Sequence, residues 1–368
     1  MVKQLHVISF DVPYPPDYGG IIDVYYKLKK LNEKGVRIHL HAFKYKGHNS
    51  PNSVLEELCE SVSYYSRKSN PLLALFDKRP YIVSSRCSKD LINNLLKNDY
   101  PILLEGLHTC GLLRDGRFSN RIKLVRAHNI EHEYYAELAA LSGGLKKIYY
   151  QKESKRLQQF EKILTKANCI FSIAQRDVAH FAHYSETEFL PAFFNDAPVM
   201  ESVETKKNYV LYHGNLEVKE NQYAAEFLVK ELEGLNIKLI IAGKSPSDQL
   251  MGLKNDTVQV IPNPSNEELE KLISEAWVNV FAARKPAGVK LKVLNALQLG
   301  GHVLMSRELD DQGLFEGLAE VVERNEIGGR LKSLMETPFS EEMHLTRMKK
   351  FQYTFNLDLA VQQIINRI

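Results

Sequence analysis

The sequence predicts an α/β protein built from two doubly wound domains, each a parallel sheet with helices on its faces. Three observations predict it. Strand-length apolar runs alternate with amphipathic helical stretches from Leu5 to Ala174, the alternation lapses over Phe189–Asn208 with its Pro191 and Pro198, and it restarts at Tyr209. A chain of 368 residues is too long for one ordinary domain, which agrees with the count of two.

Taken in order, Leu5–Phe10 reads as a buried strand, DVPYPPDYGG as a loop, Ile21–Asn32 as an amphipathic helix, and Val36–Phe43 as a second strand. Pro101–Glu105, Ile122–Ala127 and Cys169–Ala174 continue the strands, with a long charged helix, His132–Thr165, between the last two. After the boundary come the strand Tyr209–His213, the loop GNLEVKEN and the helix Gln222–Glu233. Ile237–Ala242, Val258–Ile261, Val278–Ala282 and His302–Ser306 follow as strands, with a helix over Glu267–Ala276. The expected domains are therefore 1–195 and 205–345, with a C-terminal helix, 350–368, returning to the first. In such sheets, ligands bind beyond the carboxyl ends of the strands.

Composition narrows the function. A hydrophobic share of 44% and a charged share of 25% are those of a water-soluble globular protein. The net charge of +3 argues against bulk nucleic-acid binding but allows local basic patches. Cys59, Cys87, Cys110 and Cys169 stand far apart without a C-x-x-C pair, which fits a reduced cytoplasmic setting and not a zinc knuckle or disulfide framework. The run after Met1 is too short for a signal-peptide core, and no apolar run reaches the ~18 residues of a membrane span.

The clearest physical anomaly is Lys285–His302, KPAGVKLKVLNALQLGGH. Its apolar spacing predicts a helix from about Gly288 that stops at Gly300-Gly301, so Lys290 and Lys292 lie in the first turn, where the helix dipole favours acids. Arg284, Lys285, Lys290 and Lys292 have no acidic residue near them from Ala276 to Arg307. A bound anion, best a diphosphate, would offset that cost, whereas a plain solvated basic face would explain it without a ligand. Gly19 and Gly20 precede a helix and offer close backbone approach. Gly214 does the same after Tyr209–His213, with Lys219 as a point charge for phosphate. Neither G-x-G-x-x-G nor G-x-x-x-x-G-K-[ST] occurs. His128, Glu131 and His132 spell the H-x-x-E-H of inverted zinc proteases, but His128 falls on a strand-to-helix loop and no third ligand is evident. A loop histidine donating a hydrogen bond to substrate is the favoured reading, with a capping or core histidine as the bland one. Lys146–Lys166 is basic with interleaved apolar residues, a candidate contact for an anionic membrane or simply a solvated helix.

With PYPPDYGG, AHNIEHEYY, VLYHGNLEVKENQYAAEFL, LIIAGKSP, VIPNPSNEELEKLISEAWVNVFAA and GVKLKVLNALQLGGHVLMS in this order, the chain resembles glycosyltransferase family 4 (group 1) over nearly its whole length. The resemblance implies a GT-B fold, two Rossmann-like domains facing a cleft. It also implies a retaining, metal-independent transferase of polysaccharide biosynthesis, which takes a UDP- or GDP-linked sugar and needs no further cofactor. Its acceptor would be a glycan or a lipid-linked glycan, and its place the cytoplasm or the inner membrane face. By the same resemblance Gly19 and Gly20 lie against the donor phosphates, His128 contacts the donor sugar, and Lys219 meets the diphosphate. Asn215 stands where the family has an arginine, and Ala287 and Asn295 where it has two glutamates. Asn295 would hold a ribose through its amide, and Lys290 and Lys292 would supply the charge that Asn215 lacks. The missing glutamates also admit a non-catalytic relative that binds a nucleotide sugar or a partner enzyme. A sugar-nucleotide epimerase is the weaker alternative.

Overall fold

Gln4–Ser9 forms β1, with every residue from Leu5 onward buried, as a central parallel strand covered on both faces requires. The structure, a computed structural model, describes residues 2–44, 50–68, 78–196, 205–284, 291–310 and 312–368. The first sheet continues with β2 Arg37–Lys44, β3 Ser61–Ser66, β4 Ile102–Glu105, β5 Lys123–Ala127, β6 Cys169–Ser172 and β7 Thr187–Phe189. Its order is β3-β2-β1-β4-β5-β6-β7, and each neighbouring pair is parallel.

The second sheet comprises β8 Lys207–Asn215, β9 Leu239–Lys244, β10 Val258–Pro262, β11 Ala276–Phe281, β12 His302–Ser306 and β13 Glu320–Val322. It is also parallel, in the order β10-β9-β8-β11-β12-β13. The strand order of each sheet reverses beside its first strand, between β1 and β4 in one and between β8 and β11 in the other. Such a switch point opens a crevice at the carboxyl ends of the strands.

The chain divides into two compact units, Met1–Phe194 with Leu357–Ile368, and Asn195–Asn356. Each has its own apolar core. Ile8, Leu104, Val125, Leu157 and Ile170 are among the buried residues of the first, and Val210, Leu228, Ile241, Val280 and Leu331 of the second. The helix Glu341–Thr354 stays with the second unit, so the returning element is Leu357–Asn366 and not all of 350–368.

The expected long helix His132–Thr165 is instead two, Glu131–Ala140 and Gly144–Glu161. Gly143 is extended and Gly144 takes a φ of +57°, a conformation that interrupts a right-handed helix and suits glycine. Short strands at the sheet margins, β3, β7 and β13, went unread because their apolar patterns are brief and partly exposed.

Candidate functional site

In the first unit the switch point is filled by charge. Asp23 and Lys27 sit one turn apart on the helix Gly19–Glu33, and both are fully buried. Lys27 Nζ lies 2.9 Å from Asp23 Oδ2 and 2.8 Å from Oε1 of Glu105, the last residue of β4. Arg126 on β5 grips Asp23 with two hydrogen bonds, Nη2 to Oδ1 at 2.8 Å and Nε to Oδ2 at 3.1 Å. It also donates to the Leu190 and Pro191 carbonyls. Two carboxylates thus meet two cations, which is how charges survive out of water. Burial alone would raise the Asp23 carboxyl, but Arg126 and Lys27 hold it well below the ordinary value. For Glu105, burial is likewise outweighed by Lys27 and the hydrogen bond with His128.

His128 follows β5 directly. Its Nε2 lies 3.1 Å from Glu105 Oε2, and its ring meets Phe10 edge-on at 5.5 Å. Because ionised Glu105 only accepts, Nε2 carries the hydrogen. The other nitrogen, Nδ1, has no partner among the described residues. It is an acceptor in the neutral ring and a donor only in the imidazolium, so the expected donating role holds for the charged form alone.

Gly19 and Gly20 open their helix, which has no side-chain cap. A Cβ on Gly20 would fall 2.8 Å from Phe10 Cζ, so this glycine also serves packing against the ring that His128 touches. Nearby, burial keeps His108 well below its ordinary pKa and raises Glu131 to about 7.

In the second unit, β8 runs on through Gly214 and Asn215, two residues past the expected strand end, because they pair with Gly243 and Lys244 of β9. A Cβ on Gly243 would lie 1.9 Å from the Gly214 oxygen, so only glycine permits this approach. Lys219 is the first residue of the helix Lys219–Glu231, three residues before its expected start, and is exposed in the first turn. Asn215 Oδ1 accepts from the Glu217 amide at 3.0 Å, and its carbonyl accepts from Asn221 Nδ2 at 2.8 Å.

Lys292 reaches this loop from the helix Leu291–Leu299. Its Nζ donates to Asn221 Oδ1 at 3.0 Å and to the Tyr212 hydroxyl at 3.3 Å, and lies 3.3 Å from where a Cβ on Gly214 would be. The aromatic faces of Tyr212 and Phe281, 4.7 and 5.6 Å away, support the ammonium. Next to it, burial and then Lys292 lower His213 to about 3, so the ring is neutral. Its Nε2 is shielded from solvent without a hydrogen-bond partner among the described residues.

The structure thus joins Gly214, Asn215 and Lys292 around one strand end, with Lys219 in the helix that follows. Asn295 lies half-buried on the helix of Lys292. Lys285, Ala287 and Lys290 fall outside the described residues.

The letters H-x-x-E-H do not converge. His128 pairs with Glu105, Glu131 lies 3.9 Å from His108, and His132 lies 3.2 Å from Glu161. Sequence reading missed Asp23, Lys27, Glu105 and Arg126. Their signal was present: a charged pair at i, i+4 between Ile21 and Leu28, and a single charge near the end of each of two apolar strands.

No protein-family profile matches the chain. A Klebsiella pneumoniae protein described as an uncharacterized 44.6 kDa protein in cps region is 27% identical over 321 residues, covering 81% of each chain. Among solved structures, HepE of Anabaena in complex with UDP-glucose is similar with a TM-score of 0.68 at 11% identity, over 99% of this chain and 100% of that one. A UDP-forming α,α-trehalose-phosphate synthase from Burkholderia xenovorans gives 0.64 at 12%, over 99% and 98%. Such identities establish the fold, two Rossmann-like α/β units of the GT-B type.

Proposed function

We propose that the chain is a glycosyltransferase of the family 4 kind. It would move a sugar from a UDP- or GDP-linked donor to a glycan or lipid-linked acceptor, with retention and without a metal at the diphosphate. The observation that carries this reading is the Lys292 ammonium held against Gly214 at the second switch point. A fixed cation beside bare backbone, with Lys219 and a helix N-terminus following, is suited to a diphosphate and to the charge that develops on it as the sugar leaves. The two solved structures above carry UDP-glucose or the description UDP-forming, in keeping with that donor class. In the first unit, Glu105 fixes the His128 ring so that Nδ1 meets a sugar hydroxyl.

Leu145 and Ile148, 86% and 61% exposed, alternate with Lys146 and Lys147 on the helix Gly144–Glu161 and support contact with an anionic membrane surface. Among the described residues no helix is long and apolar enough to cross a membrane. Cys59, Cys110 and Cys169 are buried thiols outside any disulfide, in keeping with a cytoplasmic setting.

Titration calorimetry with UDP and with GDP tests the reading. One of them binds, and Lys292→Ala weakens it about 10–100-fold, the worth of a charge-assisted hydrogen bond of about 1.5–3 kcal/mol. If neither nucleotide binds, the reading fails. Asn295, on the described helix where a glutamate is expected, favours the second reading of a non-catalytic relative. Turnover with any donor and acceptor pair excludes that one. The epimerase alternative needs an acid and a base carboxylate, and two of the buried candidates, Asp23 and Glu105, are already held in ion pairs with Arg126 and Lys27.

A further inference from the structure

His132, set aside by the failed zinc-protease pattern, belongs to another constellation. It lies in the first turn of the helix Glu131–Ala140, Glu161 ends the helix Gly144–Glu161, and His180 lies on the short helix Val178–Phe181 after β6. Three segments distant in sequence bring one carboxylate oxygen and two imidazole nitrogens together. Oε2 of Glu161 is 3.2 Å from His132 Nδ1 and 3.0 Å from His180 Nε2, and the three atoms all lie within 4.8 Å of one another.

Tetrahedral zinc, with ligands at about 2.0–2.1 Å, sets its ligand atoms about 3.3 Å apart. Two of the three separations, 3.2 and 3.0 Å, are close to that value, and the two imidazole nitrogens lie within 4.8 Å of each other.

Two further observations favour a metal over a plain hydrogen-bonded trio. His132 Nδ1 is shielded from solvent and, although 3.2 Å from the carboxylate, lacks hydrogen-bond geometry. A lone pair directed at a shared ion accounts for that placement. The charge balance also differs from that of Asp23, Glu105 and His128, the other metal-like group in this unit. There Lys27 and Arg126 neutralise the carboxylates. Here Glu161, 1% exposed, meets two imidazoles and the Tyr184 hydroxyl at 3.2 Å, and no lysine or arginine pairs with it among the described residues. A buried carboxylate met by imidazoles and a hydroxyl lacks a permanent cation, and a divalent ion would complete it.

We propose that His132, Glu161 and His180 form a zinc site with three protein ligands and one water, which ties the helices following β5 to the short helix after β6. Side-chain exposures of 15% for His132 and 27% for His180 leave an open edge for the water. The proposal does not rest on the glycosyltransferase reading.

The test uses the full untagged chain, stripped with chelator and then given zinc chloride. After gel filtration, elemental analysis should find one zinc per chain, and cobalt in its place should give the intense visible absorption of a four-coordinate ion. Saturating zinc should also raise the Tm. Changing a residue that merely orients a ligand costs about 10–100-fold in affinity, so the His132→Ala/His180→Ala pair should weaken binding more than about 100-fold and abolish the Tm rise. Glu161→Gln keeps shape and hydrogen bonding, guards against misfolding of the double variant, and should also lose the metal. Substoichiometric zinc in the unaltered chain, or equal binding by folded variants, overturns the site.

Discussion

A chain of four side chains in the first sheet lets each proton be placed. Asn98 Oδ1 is 2.7 Å from His6 Nε2, His6 Nδ1 is 2.9 Å from His41 Nε2, and His41 Nδ1 is 2.8 Å from the Tyr65 hydroxyl, which in turn accepts from Asn94. The amide oxygen can only accept, so His6 carries its hydrogen on Nε2, His41 on Nε2, and Tyr65 donates to His41. Both rings are neutral, and burial is the main cause, lowering His6 to about 4 and His41 to about 3 from 6.5. A depressed folded value means stability present above pH 6.5 and lost as pH falls toward about 4, because the unfolded chain takes up the protons. Glu131, raised to about 7 chiefly by burial, works the other way, adding stability as pH falls below that value. The difference between proteins therefore isolates the histidines. In thermal melts across this range, His6→Gln/His41→Gln should lose less Tm on acidification than the unaltered chain, and an equal loss would refute the assignment. At this scale the places of His128 after β5 and of Gly214 at the end of β8 were legible from the strand pattern. The ion cluster was not, since which buried charges meet depends on a helix packing against strands 78 to 103 residues further along the chain.

At the scale of elements, the charge anomaly of the helix expected from about Gly288 is partly resolved. Lys292 turns to a hydroxyl, an amide and two aromatic faces, a position that no helix-dipole argument specifies. Strands and helices of the central sheets were legible to within a few residues because apolar periodicity is strong there. Their ends were not, because pairing with a neighbour extends β8 to Asn215. Gly243 shows how closely β8 and β9 are matched at that end. Gly243→Ala sets a Cβ against the Gly214 oxygen, so the strands must part. A loss of about 3 kcal/mol in urea unfolding is expected, with weaker UDP binding as Gly214 moves. Unchanged stability would show that the approach is looser.

At the scale of the molecule, two domains could be read from the restart of alternation at Tyr209, but the return of the chain to the first unit rests on long-range contacts. Leu357, Ala360, Val361 and Ile364 are buried on the helix Leu357–Asn366, which packs against Gly19–Glu33. Asp358 pairs with Lys34 at 2.7 Å, and Arg367 pairs with Glu186 and Glu188. Ending the chain at Asn356 removes three large apolar side chains, on the order of 5 kcal/mol by area. The expected result is a lower Tm and aggregation. A truncated chain melting like the whole would show that this helix contributes little.

That returning helix also sets an order in time. Leu357–Asn366 is synthesised only after the whole of the second unit, yet it covers a face of the first. During translation the nascent first unit therefore carries an unfinished apolar surface until its last helix emerges. That interval gives chaperones a target on the ribosome that the finished protein no longer displays.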